Sequence, residues 1–246
     1  MNDSSQQVLF HGPLAEEYAF LQRVCPALNV CAEGVARVIQ SLPQRADGSC
    51  LLALELGCGT GLSTQRFLSA RPDLRLHAID NAAPMIEQAQ THLKAWRDQG
   101  RLSFELGDMV EIVSAQPAAS YDLIVSNYAL HNLLETEREV LMSELVRVLR
   151  PGGHFINGDR YGLDDPKAHL AQIQDEVRVY FEVFPAENRL DLLEAWVLHV
   201  LSDESPDRAL RLKPSLEVME SRGFVTTDIV YREGVNAILW AQTPCL

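Results

Sequence analysis

Apolar residues recur at helical spacing over residues 13 to 28, at Leu14, Tyr18, Leu21, Val24 and Leu28. They recur again over 30 to 42, at Val35, Val38, Ile39 and Leu42. Both periods predict helices ahead of any sheet. The polar stretch PQRADGS (43–49) has turn chemistry and leads into a short apolar run, Leu51 to Leu56, that predicts a first strand. From there the pattern alternates. It predicts a helix over 62–70, a strand over 74–80, a helix from Pro84 to about Gln99 and a strand over 101–106. A strand over 121–126, a helix from about Glu135 to Leu149 and a strand over 154–158 follow. Strands alternating with helices in this way require right-handed crossovers and a parallel sheet covered on both faces. The expected fold class is α/β, a doubly wound, mostly parallel sheet.

Residues 160–212 break the rhythm with a long helical, polar and aromatic stretch, too long for an ordinary connection, and read as a helical cap inserted into the fold. PSLEVMESRGF then predicts a helix closed by Gly223, and FVTTDIVYRE and NAILWAQ predict an antiparallel hairpin joined by EGV. The resulting division is an N-terminal helical cap (1–50), an α/β core (51–159), the cap insertion (160–212) and a C-terminal helix with hairpin that completes the core (213–246).

Composition narrows the function. The chain has 246 residues, 47% of them hydrophobic, enough for one well-buried domain. No run approaches the ~20 apolar residues of a membrane helix, and the N-terminus lacks the basic-then-apolar order of a secretion signal, so a cytoplasmic protein without a membrane partner is expected. A formal charge of −13, with no cluster of Lys and Arg, argues against nucleic acid as a partner. The five cysteines are scattered and never spaced as CxxC, which suggests reduced thiols. His77, His92, His169 and His199 lack any HxxxH spacing, so no metal is expected.

The chemistry concentrates in LALELGCGTGLS (53–64), where Gly57, Gly59 and Gly61 alternate after an apolar run. In open α/β sheets ligands sit beyond the carboxyl ends of the strands, and glycines there let the backbone approach a ligand closely. Asp80 ends the second predicted strand, where an acid can accept hydrogen bonds from both ribose hydroxyls, and Asp108 follows the third in LGDM. The order GxGxG is not the GxGxxG of dinucleotide sites, and no Lys-Ser/Thr pair makes a phosphate loop. Glu55, just before the loop, would oppose a phosphate and suits an amino group. A nucleoside without phosphates and with a cationic portion fits best.

These segments resemble the class I S-adenosylmethionine-dependent methyltransferases over about residues 51–158. LELGCGTG looks like their first motif, AIDNAAPMIEQA the second, LGDM the third, YDLIVSNYALHNL the fourth, and VLRPGGHFING the entry to the fifth strand. The resemblance implies a seven-stranded Rossmann-like sheet of order 3-2-1-4-5-7-6 and S-adenosyl-L-methionine as cofactor. By the same analogy Glu55 with Gly57, Cys58, Gly59 and Gly61 hold the methionine part, Asp80 the ribose, Asp108 and Met109 the adenine, and Ser126 and Asn127 the sulfonium side, with Asn81 and Met85 also among the cofactor-binding residues. Tyr18 and Tyr128 are candidates to cover the cofactor.

A second pocket falls to the helical additions, and a small-molecule acceptor is expected, with at most a second copy of the chain as protein partner. Methyl transfer from a sulfonium is an in-line displacement, so alignment supplies most of the catalysis and a base is needed only if the acceptor must lose a proton. His131 is the leading candidate base, with Asn127 and Tyr128 beside it and His154 and Asp159 as weaker alternatives. In the cap, Tyr180, Phe181, Phe184 and Trp196 form an aromatic group suited to core packing or to contact with a sulfonium or an apolar acceptor. Two other readings stay open. One is a relative that converts the cofactor itself, for instance by cyclisation to azetidine-2-carboxylate with release of methylthioadenosine. The other is a cofactor-binding protein without turnover.

Overall fold

The computed structural model describes residues 25–45 and 47–245, so most of the first predicted helix, with Tyr18, lies outside the described residues. In chain order the elements are α1 (Ala27–Ser41), β1 (Leu51–Leu56), α2 (Leu62–Ala70), β2 (Leu74–Asp80), α3 (Ala83–His92), α4 (Lys94–Asp98) and β3 (Leu102–Leu106). Next come α5 (Met109–Ala115), β4 (Tyr121–Asn127), a 3-10 turn (Leu130–Asn132), α6 (Glu135–Val148) and β5 (Leu149–Arg160). The chain closes with α7 (Pro166–Ala186), α8 (Leu190–Asp203), α9 (Leu212–Arg222), β6 (Thr226–Glu233) and β7 (Asn236–Gln242).

The seven strands form one sheet in the order β3-β2-β1-β4-β5-β7-β6, the order expected. The first five are parallel, and β7 pairs antiparallel with both β5 and β6. Strand periodicity divides the side chains between two cores. Leu54, Leu56, Ile124, Phe155 and Leu239 face α5, α6 and α9, whereas Ala53, Leu123, Val125, Ile156 and Ile238 face α1, α2 and α3. Helix α1 belongs to the second core through Cys31, Val35 and Ile39, all fully buried. It therefore forms part of the helical layer on the sheet. Helices α7 and α8 carry a third cluster of their own, built on Ile173, Tyr180, Phe184, Leu192, Trp196 and Val200.

Three elements differ from the sequence expectation. The helix from Pro84 breaks at Leu93 into α3 and α4, because that side chain is buried beneath the glycine loop, with Cδ1 only 2.7 Å from where a Cβ on Gly61 would sit. Strand β5 is longer than 154–158, since pairing with β4 already begins at Leu149, before the Pro-Gly-Gly segment. Helix α5 lacks an amphipathic run long enough to stand out in the sequence, and it is started by Asp108, whose Oδ1 accepts from the backbone N–H groups of Val110 (2.8 Å) and Glu111 (3.0 Å). All five cysteines are unpaired. Among the described residues no helix is long and apolar enough to cross a membrane.

Candidate active site

The glycine loop leaves β1 at its carboxyl end and is tied to the neighbouring strand, since the N–H groups of Gly57 (2.9 Å) and Cys58 (3.0 Å) both donate to the Ile79 carbonyl. Gly57, at φ +69°, is the position where glycine is indispensable: a Cβ there would lie 2.3 Å from Cβ of Ala129, on the loop that follows β4. Gly61, at φ +85°, starts α2 without any side-chain cap, so the first turn of that helix keeps free N–H groups at the loop. Asp80 fastens the loop from the other side. Its Oδ2 accepts from Gly59 N–H at 2.8 Å and its Oδ1 from Ala82 N–H at 2.9 Å, while burial raises its pKa. The acid singled out for a ribose thus also shapes the backbone that lines the site.

Glu55 is the most unusual group here. It is 1% exposed, and neither carboxyl oxygen has a hydrogen-bond partner. Burial, partly offset by the Thr64 hydroxyl beside it and reinforced by the nearby Asp80 charge, pushes its pKa up to about 8. The buried hydroxyls of Thr60 and Thr64 are also unpartnered. A buried polar group without a partner carries a desolvation penalty that a ligand can relieve, and three together at one loop point to a polar ligand.

The other residues singled out from sequence divide by location. Met109 Cε lies 3.8 Å from the notional Cβ of Gly57, so it borders the loop, as does Cys58, whose thiol is buried and raised well above its ordinary pKa by that burial. Asn81 is exposed, and Met85 is buried on the inner face of α3. Ser126 is fully buried and its hydroxyl donates to the Leu56 carbonyl at 3.0 Å, bracing β1 against β4. Asn127 donates through Nδ2 to the Leu28 carbonyl (3.2 Å) and Ser63 Oγ (3.0 Å), leaving Oδ1 buried without a partner.

Beyond the carboxyl end of β4 a cavity opens between the sheet and helices α7 and α8. Tyr128 and His131 from the β4 loop line one side, and Tyr180, Trp196, His199 and Asp203 from α7 and α8 line the other. Tyr128 sits at φ +55°, an uncommon conformation for a bulky residue, and its hydroxyl bonds to Asn236 Oδ1, which fixes the loop against β7. His131 is buried. Its Nδ1 is 2.5 Å from Asp159 Oδ1, and Asp159, fully buried at the end of β5, also accepts through Oδ2 from Leu130 N–H at 2.9 Å. Burial alone would lower the His131 pKa, but the charge and hydrogen bond of Asp159, with Asp203 adding to them, outweigh it and raise the pKa. The imidazole is thereby oriented with Nε2 toward the cavity, 4.0 Å from Asp203 Oδ2.

Sequence reasoning grouped His154 with the candidate bases, but it lies well before the end of β5 and stacks on Trp240, which donates to its Nδ1 at 3.2 Å. Phe181 is 60% exposed and does not join the cap aromatics, because the adjacent Tyr180 takes the inward face of α7. Tyr180 meets Trp196 edge-on at 6.1 Å. His199, Asp203 and Arg160 were not identified from sequence as site residues. His199 and Asp203 lie one turn apart on a helix whose docking onto the β4 loop no local pattern reveals.

A family profile described as a methyltransferase domain matches residues 53–153. The carboxy-S-adenosyl-L-methionine synthase of Photobacterium profundum is 31% identical over 183 residues, covering 69% of this chain and 72% of the relative. The demethylmenaquinone methyltransferase of Leptospira interrogans is 33% identical over 109 residues, covering 44% of this chain and 43% of the relative. Among solved structures, a putative S-adenosyl-L-methionine-dependent methyltransferase from Methanococcus maripaludis superposes with a TM-score of 0.61 over 94% of this chain and 93% of its own, at 15% identity.

Proposed function

The chain belongs to the class I S-adenosylmethionine-dependent methyltransferase family and uses S-adenosylmethionine, and from that premise we propose that it transfers a group from this cofactor to a small molecule held in the cavity beyond β4. The observation that carries the proposal is the pairing of two unlike sites on adjacent strands. A loop of orphaned polar groups follows β1, and a cavity with an oriented imidazole on its wall follows β4.

The residues present fit the cofactor. Glu55 offers an unpartnered buried carboxyl to an amino group, Gly57 and Gly61 hold the loop in a left-handed backbone packed too closely on Ala129 and Leu93 for a Cβ, and Asp80 and Asp108 supply acceptors at neighbouring strand ends. When bound, the cofactor supplies an electrophilic carbon on a sulfonium, whose thioether leaves without protonation. The protein's task is then alignment, since holding nucleophile, carbon and sulfur in line supplies most of the acceleration. Tyr128, fixed through Asn236, and the cap aromatics shape the acceptor's position and exclude water. His131 takes the acceptor's proton at Nε2, and Asp159 holds the ring and stabilises the imidazolium that results. The division into core and cap follows the same logic, with residues 51–159 and 213–246 carrying the cofactor and 160–212 the acceptor.

A second reading has its own support: the relative from Photobacterium profundum is named for making a modified S-adenosylmethionine, so the cofactor of this chain is a candidate substrate as well. One incubation of pure protein with S-adenosylmethionine alone, read by mass spectrometry, separates the two. An unchanged cofactor favours transfer to a separate acceptor and leads to acceptor screening. A product formed without any acceptor overturns that reading in favour of cofactor conversion.

A further inference from the structure

Two separate elements, the β4 loop and α8, bring three groups together on the wall of the acceptor cavity. Asp203 Oδ2 lies 4.0 Å from His131 Nε2 and 3.8 Å from His199 Nε2, and the three ligand-capable atoms all fall within 4.8 Å of one another. All three residues are buried. The second oxygen of Asp203, Oδ1, is buried with no hydrogen-bond partner, and Asp203 is only 5% exposed. No Lys or Arg forms an ion pair with Asp203 among the described residues. A buried carboxylate with an orphaned oxygen, flanked by two imidazoles that turn their Nε2 atoms toward it, has no permanently charged cation paired with it among the described residues.

We propose that His131, His199 and Asp203 bind a divalent first-row transition metal ion, with Zn²⁺ as the reference case. Two imidazoles and one carboxylate are the donor set such ions take, with bonds of about 2.0–2.2 Å. At a tetrahedral centre with those bonds, ligand atoms sit roughly 3.4 Å apart, so the two spacings to Asp203 need contractions of about half an ångström and the remaining pair, within 4.8 Å, up to about 1.4 Å, a movement within reach of side-chain rotation. The surroundings match as well. A metal-bound histidine characteristically donates its other ring N–H to a carboxylate, and His131 Nδ1 already bonds Asp159 at 2.5 Å. Three protein ligands leave a coordination position open, and the cavity lined by Tyr128, Trp196 and Arg160 is the space adjoining it. An acceptor presenting an oxygen, nitrogen or sulfur donor would be held there.

The site joins the β4 turn to α8, so a bound ion clamps the helical insertion onto the core. It also reassigns one atom, because a metal on His131 Nε2 occupies the lone pair that the transfer reading uses as a base. Metal binding itself needs neither cofactor nor acceptor, so its failure would leave the transfer reading standing, and failure of transfer would leave the metal site standing.

The test uses the full chain, stripped with a chelator and titrated with Zn²⁺ and, separately, Co²⁺ in the absence of S-adenosylmethionine. The expected result is one Zn²⁺ per chain by elemental analysis, a rise in melting temperature on addition, and visible Co²⁺ absorption of low-symmetry nitrogen and oxygen ligation. Trp196 gives an independent signal, because its ring centroid is 5.3 Å from that of His199 and Co²⁺ should quench its fluorescence. Asp203→Asn and His199→Ala should each abolish stoichiometric binding, and Asp159→Asn should weaken it roughly 10- to 100-fold. S-adenosylmethionine binding by the variants verifies their fold. If the wild-type chain takes up no stoichiometric metal, or if Asp203→Asn and His199→Ala bind it as the wild type does, the proposal is overturned. Should a variant fail to fold, the wild-type stoichiometry and Co²⁺ spectrum still decide.

Discussion

Glu55→Gln replaces a buried carboxyl by a neutral group of nearly the same shape, and its consequences can be worked out from the structure. The carboxyl has an ordinary pKa of 4.5, and burial in the folded chain raises it to about 8. Between those values the folded chain holds a proton that the unfolded chain has lost, so the stability of the ligand-free protein falls as pH rises through that window. The slope is about 1.4 kcal/mol per pH unit for one proton, and the accumulated loss reaches roughly 5 kcal/mol by pH 8. Below about pH 4.5 the term vanishes. In Glu55→Gln it is absent at every pH, so the difference in unfolding free energy between the two proteins should shift steadily in favour of the variant from about pH 5 to 8. Urea unfolding of both ligand-free proteins across that range measures it, and because only the pH-dependent difference is used, any constant cost of burying the amide cancels. Binding adds the opposite requirement. If Glu55 receives the cofactor's amino group, binding favours the ionised carboxylate, so wild-type affinity for S-adenosylmethionine should tighten as pH rises toward 8. The variant should bind roughly 10- to 100-fold more weakly there, the magnitude of a charge-assisted hydrogen bond. Parallel stability curves would refute the claim that this carboxyl is protonated when the site is free, and equal affinities would refute its role in binding.

Other substitutions test the neighbouring parts. Gly57→Ala forces a left-handed backbone on alanine and drives its Cβ into Ala129, so calorimetry should find cofactor binding lost and denaturation a destabilisation of about 1–3 kcal/mol. Asp80→Ala removes the acceptor of Gly59 N–H together with the acid assigned to the ribose, and S-adenosylmethionine affinity should fall by more than about 1 kcal/mol; an unchanged dissociation constant would remove Asp80 from the site. In the metal-free protein, once an acceptor is in hand, His131→Ala should lower the rate roughly 10²- to 10⁴-fold without loss of cofactor affinity. An unaltered rate across pH would eliminate His131 as base. Asp159→Asn should act in the same direction through the orientation of that ring, visible as an altered pH profile of kcat with KM little changed.

What the sequence revealed and what it hid follow from the range of the interactions involved. Strands β1 and β4 are buried on both faces and read as largely apolar runs, and β2 alternates buried Leu74, Leu76 and Ala78 with Arg75 and His77, so the limits of all three could be read almost to the residue. The glycine loop was legible for a related reason, since left-handed backbone at Gly57 and Gly61 and close approach by Ala129 and Leu93 exclude a Cβ, and that demand is written at single positions. The alternation of strands and helices put Glu55, Asp80 and Asp108 at one edge of the sheet through regular βαβ geometry. Elements set by tertiary contact were less legible. Helix α5 depends on the Asp108 cap more than on periodicity, and the break at Leu93 depends on what lies above it.

The cavity lies at the far end of that scale. Its walls come from the β4 loop, the end of β5 and two helices of the insertion, and the contact of His131 with Asp203 spans residues joined only by folding. Spacing rules recognise ligands carried by a single element, which is why histidines without an HxxxH pattern argued against a metal in the sequence. They are blind to a cluster such as the one proposed above, in which His199 and Asp203 on one helix meet a histidine from another part of the chain. The same geometry has a functional consequence. The groups assigned above to the cofactor sit at strand ends, whereas those assigned to the acceptor are carried partly by α7 and α8, which have a core cluster of their own. Changes in that insertion can therefore alter the acceptor while leaving the cofactor site intact. Substitution at Trp196 should accordingly move acceptor KM and leave the dissociation constant for S-adenosylmethionine where it was, and a loss of cofactor affinity in Trp196→Ala would show that the two sites are not separable in this way.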